Sequence, residues 1–240
     1  MQLREKGGMP LIEWGYVVLV VTLAIAVLMS GLLIMLPLYF KRHLNIDNTT
    51  SIQRWQVMGY FFAIGLAFLF IEIAFMQKFI LFLHHPIYSI SVTLTAFLVF
   101  AGLGSNWSSR ISQNQSKQKT AIWAIGGIVI LAVLYLLIIG SLFESLVALP
   151  LLFKVVVTII LIGPLAFFMG MPFPMALASL AEHAQHLIPW AWSINGCASV
   201  VSVVLATLLA IHFGFMVVIV AAILLYISVL FIFPQPRQAK

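Results

Sequence analysis

The chain has 240 residues, of which 63% are hydrophobic and only 8% charged, and its mean hydropathy is +1.16. Soluble domains carry roughly 25% charged residues, so this composition excludes a water-facing globular body. The net charge of +6 comes from Lys and Arg scattered over short loops without interleaved aromatics, a pattern that orients a chain in a bilayer and argues against a nucleic-acid partner.

The apolar residues fall into seven blocks, each near the length that crosses a hydrocarbon core of about 30 Å at 1.5 Å per residue. The first runs over about 15–40, has the interfacial anchors Trp14 and Tyr16 at its start, and ends at Lys41-Arg42. It is too long for the core of a cleavable signal and no small-residue cleavage site follows it. A polar loop holding Asp47 and Asn48 leads to the second block, about 57–83, which contains Glu72, Gln77 and Lys78 and stops at His84-His85-Pro86. Proline disfavours helical geometry in the residue before it, so the helix should end there.

The third block covers about 87–104 and the fourth about 121–142, separated by the most hydrophilic loop of the chain, 105–120. The fifth covers about 151–171 and runs into Gly170-Met171-Pro172-Phe173-Pro174, which should break a helix because neither proline has an amide proton. Residues 175–188 read as a short amphipathic helix in the membrane interface, with Glu182, His183, Gln185 and His186 among its apolar positions. Trp190 and Trp192 are interfacial anchors at the head of the sixth block, 190–212, and Gly214 separates that block from the seventh, 215–233. The expected fold is therefore all-α: one integral membrane domain over 1–240, with about seven spans and one interfacial helix. The lone Cys197 excludes an internal disulfide.

With seven crossings the cations divide unequally. Arg4, Lys6, Lys78 and Lys154 fall on one side; Lys41, Arg42, Arg54, Arg110, Lys117, Lys119, Arg237 and Lys240 fall on the other. The positive-inside rule then places the C-terminus in the cytoplasm.

Glu72 is the residue most suggestive of chemistry, because it lies in an unbroken apolar run. Placing an acidic side chain at the centre of a span costs about 2.5–3.5 kcal/mol on insertion scales, so it should face the bundle interior. Lys78 is six positions on, about 120° around the helix and 9 Å along it, so the two do not pair within one helix. Glu72 reads either as a cation- or proton-binding carboxylate or as a group that fixes helix packing. Gln77, Lys78 and Asn195 complete the candidate polar site.

Two stripes of small residues should let helices approach closely: Gly59, Ala63 and Ala67 in the second block, and Ala198, Ser202, Ala206 and Ala210 in the sixth. Asn195 either belongs to that packing or lines a polar cavity beside Glu72. The hydroxyls Ser89, Ser91, Thr93 and Thr95 are expected to bond back to their own helix. Glu182, His183 and His186 have no second ligand pair at a fixed spacing, so no metal or cofactor is expected. Walker, G-x-S-x-G, HExxH and dinucleotide-binding motifs are absent from the sequence.

Five stretches in this order resemble the C-terminal membrane region of bacterial membrane-fused spermidine/spermine synthase-like proteins. They are Gly8-Met9-Pro10-Leu11-Ile12-Glu13-Trp14-Gly15-Tyr16, the run from Glu72 through Met76-Gln77-Lys78 to His84-His85-Pro86, Phe100-Ala101-Gly102-Leu103-Gly104-Ser105, Gly170-Met171-Pro172-Phe173-Pro174, and Pro189-Trp190-Ala191-Trp192-Ser193-Ile194-Asn195-Gly196. The resemblance implies a bacterial inner-membrane location. It also implies an upstream soluble aminopropyltransferase-like domain, whose glycine-rich loop and acidic residues have no counterpart in this sequence. No catalytic residue carries over, so this chain is expected not to be an enzyme but a separated membrane module or the product of a shortened reading frame. A cytoplasmic upstream domain would require a cytoplasmic N-terminus, opposite to the charge count.

Two functions remain open. One is a module that moves a small, cationic solute past Glu72; proline-broken helices often build transporter sites. The other is a structural or accessory subunit whose small-residue stripes pack against other membrane subunits, or against a separate soluble domain.

Overall fold

The computed structural model describes residues 11–32, 54–111 and 116–234. The end of the expected first span, the loop after it and the centre of the 105–120 loop lie outside the described residues. These fold entirely as helix and turn: α1 (Leu11–Ser30), α2 (Arg54–Leu83), α3 (Pro86–Ile111), α4 (Lys117–Ser145), α5 (Leu151–Met169), α6 (Pro172–His183), α7 (Ile188–Phe213) and α8 (Phe215–Phe231). A 3₁₀ turn, Gln185–Leu187, joins α6 to α7.

Five stretches are long and apolar enough to cross a bilayer: Arg54–Leu83, Pro86–Ile111, Lys117–Ser145, the joined α5–α6 stretch Leu151–His183, and Gln185–Phe213. The apolar part of α1 and the 17 residues of α8 are shorter. The polytopic helical bundle read from the sequence is thus the architecture of the molecule.

The boundaries follow local chemistry. α2 closes at His84, whose backbone is left-handed (φ 58°), and Pro86 then opens α3 at a position where the missing amide proton costs nothing. Gly214 (φ 82°) supplies the tight turn between α7 and α8 in a conformation that side chains resist. α5 stops at Met169, and Pro172 and Pro174 sit in the first turn of α6, where a helix has unbonded amides anyway. The expected break is therefore compact.

α6 departs from the sequence reading in its bounds. It starts at Pro172, ends at His183, and buries Met175, Ala176 and Leu180 completely. Those side chains pack inward, chiefly where α6 meets α4. Only its polar end, from Ala181 to His183, is exposed. The apolar positions find protein partners, which the sequence alone could not distinguish from lipid.

α2 is the central element, packed against α7, α8 and α3, with Tyr60, Phe61, Ala67, Ile71, Ala74 and Phe79 inaccessible. Side-chain contacts define the two ends of the bundle. At one end Phe82 stacks on Phe143 (ring centroids 4.3 Å apart), Lys154 lies over Phe82 and Lys78 over Phe215. At the other, Tyr60 meets Phe233, Ser179 donates to the Pro234 carbonyl, and Lys117 pairs with Glu182. Helix ends meet at each level as an up-and-down bundle requires, with α5 and α6 traversed in the same direction.

α3 and α5 run parallel. Gly104 abuts the Phe167 backbone and Gly163 meets the Phe100 ring, the same sequence offset in both cases. The carbonyl of Ala101 presses on Gly170. A Cβ at Gly104 or Gly170 would overlap backbone atoms, so these two glycines set the closeness of the helix pair.

Candidate functional site

A cavity of about 530 Å³ opens beside α2 where the chain breaks between α5 and α6. Its α2 wall runs from Ile64 to Glu72, eight residue steps or about 12 Å of helix. Ala101, Gly102 and Ser105 of α3 form a second wall, Asn195 and Ser199 of α7 a third, and the Gly170–Pro174 segment with Tyr226 of α8 closes the rest. The volume falls within the roughly 300–1,000 Å³ typical of small-molecule sites, and an apolar lining with few convergent polar groups is their usual composition.

Each wall is held by a specific contact. Tyr60, fully buried, donates a 3.0 Å hydrogen bond to the Pro172 carbonyl and so fixes the start of α6. The Phe173 ring is trapped edge-on between Phe61 (5.2 Å) and Trp192 (4.9 Å). On the far side of α5, Tyr135 donates to the Leu161 carbonyl at 2.7 Å, in the turn ahead of the interior Pro164. That bond ties α4 to α5 beside Ile160, whose carbonyl Pro164 leaves without its helical donor.

α7 reaches α2 through its small residues. Ala198, Ser202 and Ala206 are inaccessible, and the Ser202 hydroxyl donates to the Leu66 carbonyl at 3.0 Å. Ala210, the last of that stripe, is only half-buried. On α2, Ala63 and Ala67 are buried while Gly59 is half-buried against Ile232. The glycine that admits α7 is another one, Gly65: a Cβ there would lie 2.8 Å from Asn195 Oδ1 and 3.0 Å from Ala198 Cβ. Gly65 therefore makes the room in which the Asn195 amide sits.

Glu72 is 6% exposed and lines the cavity. Among the described residues it has neither an ion pair nor a hydrogen bond; the only ion pair among them joins Lys117 and Glu182. Burying a carboxylate without a partner is expensive, and a group so placed either holds a proton or awaits a cation. Ser199 donates to the Asn195 carbonyl at 2.8 Å, which leaves its oxygen lone pairs available toward the cavity.

The sequence-derived site divides in two. Glu72 and Asn195 meet in one cavity. Gln77 and Lys78 do not line it: both are half-buried further along α2, and the Lys78 ammonium sits 5.0 Å from the centre of the Phe215 ring, a cation–π contact. Reasoning from sequence missed Gly65, Phe173 and Tyr226. A second glycine in α2, off the Gly59–Ala63–Ala67 stripe, was the signal for the first, and no local pattern marks the other two.

One further expectation fails in α3. The hydroxyls of Ser89 and Thr93 are inaccessible and bond to nothing, instead of returning to their own helix. Ser91 and Thr95 line a shallow apolar depression of about 360 Å³ against Ile159.

Comparison of the chain with protein-family models, curated proteins and solved structures gives no match.

Proposed function

We propose that this chain is a non-catalytic membrane module that binds a small cation at Glu72 and moves it across the bilayer. The observation that carries the reading is the buried, unpartnered carboxylate facing a cavity of ligand size. The helix break at Gly170–Pro174 supports it, since the break lines the cavity and interrupted helices build substrate sites in transporters. So does the absence of a nucleophile–base pair or cofactor motif in the sequence around the cavity.

The same reading places the chain with the membrane regions of the spermidine synthase-like proteins, in a bacterial inner membrane with the C-terminus cytoplasmic. In its favour, four of the five resembling stretches contribute to the cavity: Glu72, Ala101 to Ser105, Gly170 to Pro174, and Asn195. The charge count agrees with the alternation of helix ends described above. The accessory-subunit reading keeps less support, because the stripe Ala198–Ser202–Ala206 is consumed inside the chain, against α2.

Reconstituted into vesicles, the protein should drive gradient-dependent uptake of one member of a panel of sodium, potassium and alkylammonium ions. Glu72→Gln should lower that uptake by about tenfold or more, because truncating one side of a desolvated charge pair costs about 2–5 kcal/mol. Equal uptake by the variant would remove the carboxylate from the mechanism.

A further inference from the structure

The cavity is partly open, and its lining divides into buried residues and residues exposed at the surface of the bundle. Its deep end is built from Glu72, Ile64, Tyr226 and Met169, all nearly inaccessible. Its rim is built from Leu98, Gly102 and Ser105 on α3 and from Asn195 and Ser199 on α7, all partly or fully exposed. Among the described residues, α3 and α7 do not form one of the substantial helix pairs of the bundle, and no described element fills the space between them in front of α2.

The height of this mouth decides what can use it. Leu98 is 70% exposed and is the thirteenth residue of the 26-residue α3, so it sits at the middle of a span. An exposed leucine at that depth borders hydrocarbon, not water. The mouth thus opens laterally into the bilayer, while its far wall carries a carboxylate without a partner. A hydrated ion does not approach through lipid. A molecule that dissolves in the bilayer by its chain and carries a cationic head does, and the head then supplies the missing counter-charge for Glu72.

Resting on the cavity reading given above, we infer that the ligand is a single-chain cationic amphiphile, an alkylammonium, which reaches Glu72 sideways from the membrane between α3 and α7. Its head lies between Glu72 and the Asn195–Ser199 oxygens. Its chain leaves along Phe68 and Leu98 into the lipid. Gly102 keeps the mouth wide, since a Cβ there has open space around it.

The test uses the full chain in phosphatidylcholine nanodiscs, with radiolabelled dodecylammonium, ethylammonium and dodecanol measured in excess over empty discs. Dodecylammonium should bind saturably, and ethylammonium and dodecanol at least about tenfold more weakly. Glu72→Gln should weaken dodecylammonium binding at least about tenfold. Gly102→Leu, which plugs the rim without a backbone clash, should do the same while the protein elutes as a single folded peak. If ethylammonium binds as tightly, or if Gly102→Leu has no effect while Glu72→Gln does, the lateral amphiphile route is wrong and the cation site under Proposed function stands. If dodecanol competes equally, if Glu72→Gln changes nothing, or if nothing binds saturably, both fall together.

Discussion

Gly170→Val should abolish folding of the bundle, with loss of monodisperse protein from detergent extracts. A Cβ at position 170 would overlap the Ala101 carbonyl, and the mirror contact at Gly104 meets the Phe167 carbonyl, so either substitution must push α3 away from α5. Overpacking of a close-packed interior costs about 1–3 kcal/mol where side chains can move aside, and backbone atoms cannot. We expect more than about 3 kcal/mol for valine at either position. The controls are Gly102→Ala and Gly126→Ala, where nothing lies within 4 Å of the added atom. These should be neutral or should stabilise by up to about 1 kcal/mol through helix propensity. Thermal aggregation of the four variants in one detergent checks the contrast, and equal behaviour would mean that α3 and α5 are not in contact at these glycines.

Glu72→Leu should stabilise the folded protein by about 2–3 kcal/mol while eliminating cation binding, because it exchanges a desolvated carboxyl for an apolar group of similar size. This outcome separates the two roles that the sequence leaves open for Glu72. A carboxyl that fixes helix packing through a hydrogen bond would destabilise the bundle when removed. A carboxyl held ready for a ligand is a local cost to folding, and its removal relieves that cost. Reversible unfolding in mixed micelles, followed by helical circular dichroism, measures the sign. A loss of stability by Glu72→Leu would assign the residue to structure.

The parts legible in the sequence are those set by hydrophobic length and by proline. Blocks near the thickness of a bilayer gave the helices, and Pro86, Pro172 and Gly214 gave their ends to within a few residues. The stripe from Ala198 to Ala206 lies along α7 where its small residues are buried and Ser202 bonds to α2, and small residues every four positions let helices approach closely. Its partner surface was less legible. Gly59 and Ala63 share the period of Ala67, yet Gly65 faces α7, because where a helix is apolar all round the pattern does not say which side meets which neighbour. For the same reason the protein partners of α6 were not legible: Met175, Ala176 and Leu180 suit lipid and protein equally.

The candidate site shows a similar split. Glu72 stood out because a carboxylate in an apolar run is costly wherever it points. Its meeting with Asn195, Phe173 and Tyr226 depends on tertiary contacts made across α2, α6, α7 and α8, for which no local spacing codes. Lys78 shows the limit of counting along one helix. It is near Glu72 in sequence but spends its charge on Phe215.

Whether a cation coming from the bilayer reaches position 72 is the point on which the functional account turns, and thiol chemistry reads it directly. In a Cys197→Ser background, Glu72→Cys should react with the membrane-permeant amine reagent 2-aminoethyl methanethiosulfonate in lipid vesicles. Adding Gly102→Leu should slow that reaction about tenfold. A thiol at position 72 that stays unmodified in folded protein, or that reacts at the same rate with the rim plugged, would contradict the account.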